Sequence, residues 1–215
     1  MKKKRVVIID DHPIVRQGYA QLINREFDLE TVGEAEDSSS ALRVIEELKP
    51  DIALIDLSLK DSNGLELIKN LAVSHKDLKI LVISLHDENV YAERALRAGA
   101  KGYIMKSEAT KNVMTAIRSV IEGNIYLSPN MRSRIIEHYA DGGIKDGNAV
   151  DVLSDREFEV FQLIGKGVQT SKIAEQLNLS VKTVETYKSH IKTKLGLDSG
   201  TELMQRAVEW ELSQS

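Results

Sequence analysis

Several apolar runs of this sequence, each typical of a buried strand, end in a side chain that can take part in chemistry. These side chains are Asp10, Asp11, Asp56, Ser84 and Lys106. Two carboxylates about 4 Å apart repel by roughly 4 kcal/mol at an effective dielectric near 20, so one takes up a proton unless a cation intervenes. For the three aspartates we expect a set of oxygen ligands with no His or Cys nearby, which suits a hard divalent ion such as Mg²⁺.

The surrounding sequence predicts the fold that positions these side chains. From Arg5 to about Gly123, five apolar runs alternate with helical patterns. The runs are Val6–Ile9, Leu29–Ala35, Ile52–Ile55, Ile80–Ser84 and Gly102–Met105. This alternation predicts an α/β doubly wound, five-stranded parallel sheet of the flavodoxin-like kind, with helices on both faces. Ligands of such sheets bind at the carboxyl ends of the strands, where all five side chains are expected.

Phosphoryl transfer is the chemistry that this combination favours. Mg²⁺ held by carboxylates, with coordination positions left open, is the usual arrangement for that reaction. The Lys106 ammonium and the Ser84 hydroxyl are placed to contact phosphoryl oxygens. The alternative is that each aspartate only caps the helix that follows it. Capping explains a single aspartate as well as a site does, but it does not explain all five positions together.

The same residues resemble the receiver domain of bacterial two-component response regulators, over residues 5 to 122. The resemblance implies that Asp56 is the phosphoacceptor, that Ser84 is the switch hydroxyl and that Lys106 contacts the phosphoryl group. It also implies Mg²⁺ as the cofactor. The implied metal ligands are Asp10, Asp11, Asp56 and the backbone carbonyl of Ser58.

Further positions follow from the resemblance, and two depart from it. Tyr103 matches the family's switch aromatic, although an aromatic ring that only fills core space is the alternative. Ser58 and His86 occupy positions that tune the lifetime of the phosphoryl group in this family. Lys60 stands where the family often has proline, and Leu85 stands where it usually has a small residue. A bulky Leu85 is expected to narrow access to the acyl phosphate.

The second half of the chain predicts a helix-turn-helix. Ser154 and Glu157 form a capping box that opens one helix. A short helix is expected over Thr170–Leu177, and Ser180 caps a longer one that ends near Leu195. On that longer helix an apolar side separates from a polar side, as in a recognition helix that enters the major groove. The alternative is an ordinary solvated amphipathic helix.

Charge in this half is local. From Val150 onward there are 8 basic and 10 acidic residues, but between Gly165 and Lys194 six lysines face only two glutamates. The whole-chain net charge of -4 therefore does not exclude DNA as a partner.

Several runs of this half resemble the LuxR-type helix-turn-helix, over residues 151 to 212. They are Leu153–Glu157, Gly165-Lys166-Gly167, Ile173-Ala174 and Leu179–Tyr187. A receiver followed by this domain is the architecture of the NarL/FixJ-type response regulators. The resemblance implies base-reading positions at Lys182, Glu185, Thr186 and Ser189. It implies phosphate contacts at Lys172, Lys188 and Lys192.

Together these patterns predict three regions: a receiver domain at 1–123, a linker at 124–150 and a small all-α DNA-binding domain at 151–215. The linker is expected to hold a short helix over Met131–Tyr139 and a flexible glycine-rich stretch at 141–148.

The resemblance implies a DNA-binding transcription regulator that a sensor histidine kinase switches by phosphorylating Asp56. Its expected partners are that kinase, double-stranded promoter DNA and a second copy of the chain on activation. We expect a phosphoacceptor protein and no enzyme, beyond self-phosphorylation from small donors and autodephosphorylation. Two other interpretations stay open: a Mg²⁺-dependent phosphohydrolase with an aspartyl intermediate, and a DNA-binding protein whose receiver only dimerises.

The cellular compartment follows from what the sequence lacks. The chain of 215 residues contains no cysteine, which fits a reducing compartment. The basic start is followed by an apolar run too short for an export signal, and no stretch approaches the length of a transmembrane helix. We expect a cytoplasmic protein without a membrane partner.

Overall fold

The structure, a computed structural model, describes residues 2–59, 62–140 and 149–213. Its chain forms two compact units, Met1–Glu137 and His138–Ser215. The expected glycine-rich stretch at 141–148 and the departure at Lys60 lie outside the described residues. The first unit extends past residue 123, the expected end of the receiver, and the domain boundaries stay a prediction.

The first unit is built on a parallel sheet of five strands. The strands are β1 (Lys4–Ile9), β2 (Leu29–Ala35), β3 (Ile52–Ile55), β6 (Lys79–Ser84) and β7 (Gly102–Met105). A short antiparallel pair, β4 (Ser58–Leu59) and β5 (Ser62–Asn63), follows β3 and was not expected from the sequence. The helices are α1 (Pro13–Asn24), α2 (Ser38–Leu48), α3 (Gly64–Ser74), α4 (Glu88–Ala98), α5 (Lys106–Ile121) and α6 (Pro129–Ala140). The expected doubly wound fold and the short helix after residue 128 are confirmed.

The strand order is β2-β1-β3-β6-β7, so β1 and β3 are neighbours as the flavodoxin-like fold requires. Their register pairs Ile9 with Ile55, and β3 continues the alignment by pairing Ile55 with Val82 of β6. Because the strands are parallel and in step, the residues after Ile9 and Ile55 emerge at one edge of the sheet. This register brings Asp10 and Asp56 together.

Most residues of β1, β3, β6 and β7 are buried on both faces, which explains the apolar runs in these strands, whereas the edge strand β2 is mostly half-buried. Helices α1 and α5 cover one face, and α2, α3 and α4 cover the other. On the α1–α5 side the core includes Ile8, Leu54, Leu81 and Val113, all at most 2% exposed. Buried aliphatic side chains of this kind contribute about 1.5–3 kcal/mol each relative to exposure. This burial stabilises the sheet and therefore the position of the strand ends that Asp10 and Asp56 follow.

The segment after α5 covers the outer edge of β7. The Tyr103 N–H donates to the Tyr126 carbonyl over 2.9 Å, and the Tyr126 N–H donates to the Lys101 carbonyl over 3.0 Å. Beyond it, the Ser128 hydroxyl donates to Glu88 Oε1 over 2.5 Å, at the start of α4. An edge strand that is covered in this way cannot pair with another chain. The first turn of α6 is thus anchored on the receiver.

The second unit is all-α. It contains a 3₁₀ turn at Ala149–Val152 and the helices α7 (Asp155–Gly165), α8 (Thr170–Gln176), α9 (Val181–Leu195) and α10 (Gly200–Ser213). The capping box of Ser154 and Glu157 and the Ser180 cap are present as expected. Asn178 adopts the left-handed conformation, with φ of 52°, in the expected turn between α8 and α9. The edge of Trp210 on α10 packs against Phe158 and Phe161 of α7.

A glycine controls how closely the start of α3 approaches the end of β3. A Cβ atom on Gly64 would lie 2.6 Å from Leu57 Cα and 2.7 Å from the Asp56 carbonyl oxygen. We expect Gly64→Ala to lower the free energy of unfolding of the first unit by about 1–3 kcal/mol, because the backbone there must shift. Urea unfolding followed by circular dichroism measures this.

The matched control is Gly18→Ala, in the exposed middle of α1, where a Cβ atom meets nothing within 4 Å. This change should raise the free energy of unfolding by about 0.5–1 kcal/mol, since alanine loses less backbone entropy on folding than glycine. Equal effects of the two substitutions would contradict the close packing at Gly64.

Candidate functional sites

The acidic residues form one buried cluster at the carboxyl edge of the sheet. The Asp56 N–H continues the β1–β3 ladder by donating to the Ile9 carbonyl over 2.8 Å. Asp10 and Asp56 are each 3% exposed, whereas Asp11 is partly exposed. Burial of ionised carboxylates requires compensating charge.

Lys106, the first residue of α5, supplies that charge. Its Nζ lies 2.6 Å from Asp10 Oδ2 and 2.7 Å from Asp56 Oδ2. Burial raises the pKa of Asp56 above its usual range, against the lowering effect of the Lys106 ammonium. Burial alone would lower the Lys106 pKa, but its hydrogen bonds to Asp10 and Asp56 outweigh that effect and leave the pKa raised. The site therefore holds one firmly charged cation between two carboxylates.

The second carboxylate oxygen of Asp56, Oδ1, shows whether the cluster suits a metal ion. Asp56 Oδ1 is buried and has no hydrogen-bond partner among the described residues. Ligand atoms of Asp10, Asp11, His12 and Asp56 all lie within 4.8 Å of one another. A buried carboxylate oxygen without a partner is costly, and hard oxygen donors are what Mg²⁺ prefers. The residues present fit a divalent cation.

Two neighbours of this cluster were missed from the sequence. His12 Nδ1 lies 2.6 Å from Asp11 Oδ1, so the expectation of a ligand set with no His nearby is wrong. The His12 N–H also donates to Asp10 Oδ1 over 2.8 Å. Arg16 Nη1 donates to the Asp10 carbonyl over 2.6 Å. His12 was visible as the next residue after Asp11, whereas Arg16 carries no local sequence signal.

Ser84 and Tyr103 meet at the backbone of His86. Ser84 and Tyr103 are both fully buried. The His86 N–H donates to Ser84 Oγ over 3.2 Å, and the Tyr103 hydroxyl donates to the His86 carbonyl over 2.9 Å. Burial raises the pKa of Tyr103, so this phenol is a neutral donor. One residue of the β6–α4 loop thus contacts both side chains.

The side chain of His86 connects Ser84 and Tyr103 to the segment that follows Asp56. Its Nε2 lies 3.0 Å from Ser58 Oγ, and its ring stacks on Tyr91 of α4 with centroids 4.5 Å apart. Ser58 and His86 therefore link the loops that follow Asp56 and Ser84. Leu85 is 69% exposed, so its side chain extends into solvent at this edge.

The recognition helix expected from the sequence has the two faces that its pattern predicts. Val184 and Ile191 of α9 are buried, and Tyr187 and Leu195 are half-buried. The positions expected to read bases are all exposed: Lys182, Glu185, Thr186 and Ser189. Of those expected to contact phosphates, Lys172 is exposed, and Lys188 and Lys192 are half-buried.

An ion pair between an exposed lysine and a buried carboxylate holds α9 against α7. Glu157, only 4% exposed, accepts from the Ser154 N–H over 2.7 Å and from Lys194 Nζ over 2.6 Å. Burial alone would raise the Glu157 pKa, but Lys194 and Ser154 outweigh it and leave the pKa lowered. The sequence showed Glu157 as a capping residue, and its contact with Lys194 was missed because 37 residues separate them.

Comparison with known proteins assigns the two units to protein families. Residues 6–118 match the family model described as the response regulator receiver domain. Residues 151–207 match the model described as bacterial regulatory proteins of the luxR family. The chain belongs to the two-component response regulators. It is a DNA-binding transcription regulator that joins a receiver domain to a LuxR-type helix-turn-helix.

Relatives support this over the whole length. The oxygen regulatory protein NreC of Staphylococcus aureus is 38% identical over 213 residues, which cover 97% of this chain and 98% of NreC. RcsB of Salmonella enterica serovar Typhimurium, solved bound to promoter rprA with the phosphomimetic BeF3-, is 28% identical with a TM-score of 0.65, covering 95% and 98% of the two chains. A structure of two RcsB dimers on two parallel DNAs is 26% identical with a TM-score of 0.60, covering 99% and 98%.

The family assignment confirms the predicted fold class and the regulator interpretation. It favours that interpretation over a phosphohydrolase. Among the described residues, no helix combines the length and the apolar character needed to cross a membrane.

The acidic cluster generates a prediction about magnesium. At about ten times its dissociation constant, Mg²⁺ should add about 1.4 kcal/mol to the free energy of unfolding of the receiver, because it binds only the folded cluster. Asp11→Asn should abolish this gain, since it removes a ligand charge. Urea unfolding with and without MgCl₂ measures it. The control Asp77→Asn, at an exposed position outside the cluster, should keep the full gain; an equal loss in both variants would contradict the site.

Proposed function

We propose that a sensor histidine kinase switches this regulator by phosphorylating Asp56. The observation that carries the proposal is the state of the Asp56 carboxylate. It is buried, one oxygen is held by Lys106, and the other has no partner among the described residues. In the transfer, a carboxylate oxygen bonds to phosphorus while the bond from phosphorus to the kinase histidine nitrogen breaks, and that nitrogen keeps the electron pair.

The remaining residues of the cluster have supporting roles in that transfer. Lys106 orients Asp56 and is positioned to contact a phosphoryl oxygen once the group is attached. Asp10, Asp11, Asp56 and the Ser58 carbonyl would hold Mg²⁺, which when bound supplies charge neutralisation for the transferred group. Among these, the charge of Asp10 is already partly balanced by Lys106, whose Nζ lies 2.6 Å from Asp10 Oδ2. A bound metal ion would balance more of the negative charge of the cluster.

Ser84 and Tyr103 form the switch in this proposal. A phosphoryl group on Asp56 adds negative charge and acceptor oxygens. In this proposal the Ser84 hydroxyl moves toward such an oxygen to donate to it, and this movement disturbs its contact with the His86 N–H. Tyr103 then loses its fixed partner, because its hydroxyl is held by the carbonyl of the same residue. The switch therefore acts through one residue of the β6–α4 loop, His86.

The receiver passes this change to α4 and the linker helix. Asp87 caps α4, Glu88 accepts from Ser128, and Asn89 accepts from Arg134 of α6 over 3.0 Å. These contacts lie one to three residues beyond His86. A shift of the loop thus reaches the anchor of α6 without passing through the core.

Ser58 and His86 set the lifetime of the phosphoryl group in this proposal. Their side-chain hydrogen bond joins the two loops beside Asp56. The protein has no further enzymatic activity beyond self-phosphorylation from small donors and loss of its own phosphoryl group. The proposed location is the cytoplasm, where a kinase and promoter DNA are both accessible.

The second unit binds promoter DNA in this proposal, as the RcsB structure is bound to a promoter. Helix α9 lies in the major groove, and its exposed positions at Lys182, Glu185, Thr186 and Ser189 read base edges. Lys172, Lys188 and Lys192 contact phosphates. Activation brings two copies together, so that two helix-turn-helix units occupy half-sites about one DNA turn apart.

Phosphate incorporation tests the acceptor residue. Asp56→Asn should abolish acid-labile phosphate uptake from acetyl phosphate, because only a carboxylate can form the acyl phosphate. Intact-protein mass spectrometry measures the uptake. Asp77→Asn is the matched control and should keep it. Full incorporation in the Asp56→Asn protein would exclude Asp56 as the acceptor.

Self-association tests the output. Phosphorylation should raise the dimer fraction and the affinity for paired half-sites, and should leave the affinity for a single half-site nearly unchanged, because only the pair uses the second copy. Analytical ultracentrifugation and DNA titration with and without acetyl phosphate measure these quantities. Unchanged mass together with equal affinities in both states would contradict a phosphorylation-driven dimer.

A further inference from the structure

Lys188, expected to contact DNA phosphates, is already occupied within the helix-turn-helix. Its Nζ donates to Glu185 Oε1 over 2.8 Å, one turn earlier on α9. It also donates to Thr170 Oγ1 over 3.2 Å, at the first residue of α8. An ammonium group has three donors, and two of them are used here. We call Glu185, Lys188 and Thr170 the α8–α9 clamp.

In the clamp, Glu185, which is expected to read a base, holds Lys188, which is expected to contact a phosphate. The Lys188 side chain is 25% exposed and that of Glu185 is 54% exposed, so the carboxylate faces solvent more fully than the ammonium does. The hydrogen bond from Lys188 lowers the pKa of Glu185, which favours its carboxylate form. While Lys188 stays 2.8 Å from Glu185, the carboxylate offsets its positive charge, so a phosphate gains the full attraction of that charge only when Lys188 leaves Glu185. Glu185 releases it at little cost only when another donor takes its place.

A base edge can provide that donor. In the major groove a carboxylate accepts from the exocyclic amino group of cytosine. We propose that Glu185 is a specificity-determining residue that restrains Lys188 until a cytosine amino group engages Glu185. On a matching site Glu185 accepts from the base and Lys188 turns to the phosphate backbone. On other DNA the clamp stays closed and one phosphate contact is lost. This inference rests on the proposed docking of α9 in the major groove.

Double substitution in the full-length chain tests the clamp on a random-sequence duplex. Pairs of exposed charges contribute enough to change affinity about two- to five-fold. Glu185→Ala should raise affinity for the random duplex by about that factor and should steepen the dependence of log K on log salt by about one unit, as one phosphate contact is gained. In the Lys188→Ala background, Glu185→Ala should lose this gain. Fluorescence anisotropy over a salt series measures all four proteins.

The matched control separates the clamp from a simple loss of negative charge. Glu175→Ala removes an exposed carboxylate from α8 and leaves the clamp intact. Its small gain in affinity should be the same with Lys188 and with Ala at position 188. Thr170→Val, which removes only a clamp hydroxyl, should raise random-duplex affinity in the same direction as Glu185→Ala.

Site selection from a randomised duplex library supplies the second measurement. Glu185→Ala should relax the preference for cytosine at one position, whereas Thr170→Val should keep it. An equal gain from Glu185→Ala in both backgrounds, or an unchanged base preference, would overturn the clamp while leaving the proposed function intact. If neither Lys182→Ala nor Lys192→Ala weakens binding to any duplex, α9 is not the DNA-binding surface, and the proposed function fails with the clamp.

Discussion

The ammonium of Lys106 between the carboxylates of Asp10 and Asp56 is the interaction on which the receiver depends. Two buried carboxylates at the end of neighbouring strands repel each other, and at distances below 3 Å Lys106 gives both a partner. The parallel register of β1 and β3 makes their approach unavoidable. Because Lys106 is also the first residue of α5, the charge balance of the site and the position of that helix are coupled.

The β6–α4 loop is the second constraint, because it connects the acidic edge to α4 and to the linker helix α6. His86 contacts Ser84, Tyr103, Ser58 and Tyr91 through its backbone and its ring. The next three residues cap α4 and hold Ser128 and Arg134. In the proposed switch, a local electrostatic change at Asp56 would reach the α6 anchor through this loop.

In the second unit, the lysines of α9 differ in whether they form ion pairs with other residues. Lys194 is paired with the buried Glu157 and holds α9 against α7, so it is not free for DNA. Lys188 is shared with Glu185 and Thr170. Among the lysines of α9, Lys182 and Lys192 have no ion pair within the described residues. A count of basic residues from the sequence therefore overstates the lysines of α9 that are free of ion pairs within the described residues.

The sequence by itself determined most of the helices and strands and the carboxylates that gather at the acidic edge. Apolar runs predicted buried strands, and β3 and β7 lie where those runs lie, because burial on both faces leaves little room for polar residues. The predicted bounds of β2 also match, although this edge strand carries Glu30 and Glu34 and is mostly half-buried. Local signals also sufficed for the Ser154–Glu157 capping box and the Ser180 cap, since their partners are three residues away. The fold class followed from the order of these elements.

Only the tertiary structure decided which groups meet across long sequence separations. The contact of Lys106 with Asp56 spans 50 residues and that of Lys194 with Glu157 spans 37, and neither spacing has a local pattern. The inclusion of His12 in the acidic cluster, the cover of β7 by Tyr126 and the restraint of Lys188 by Thr170 likewise depend on how the packed elements place their ends. Periodicity reports which face of an element is buried, whereas packing against other elements chooses the partner.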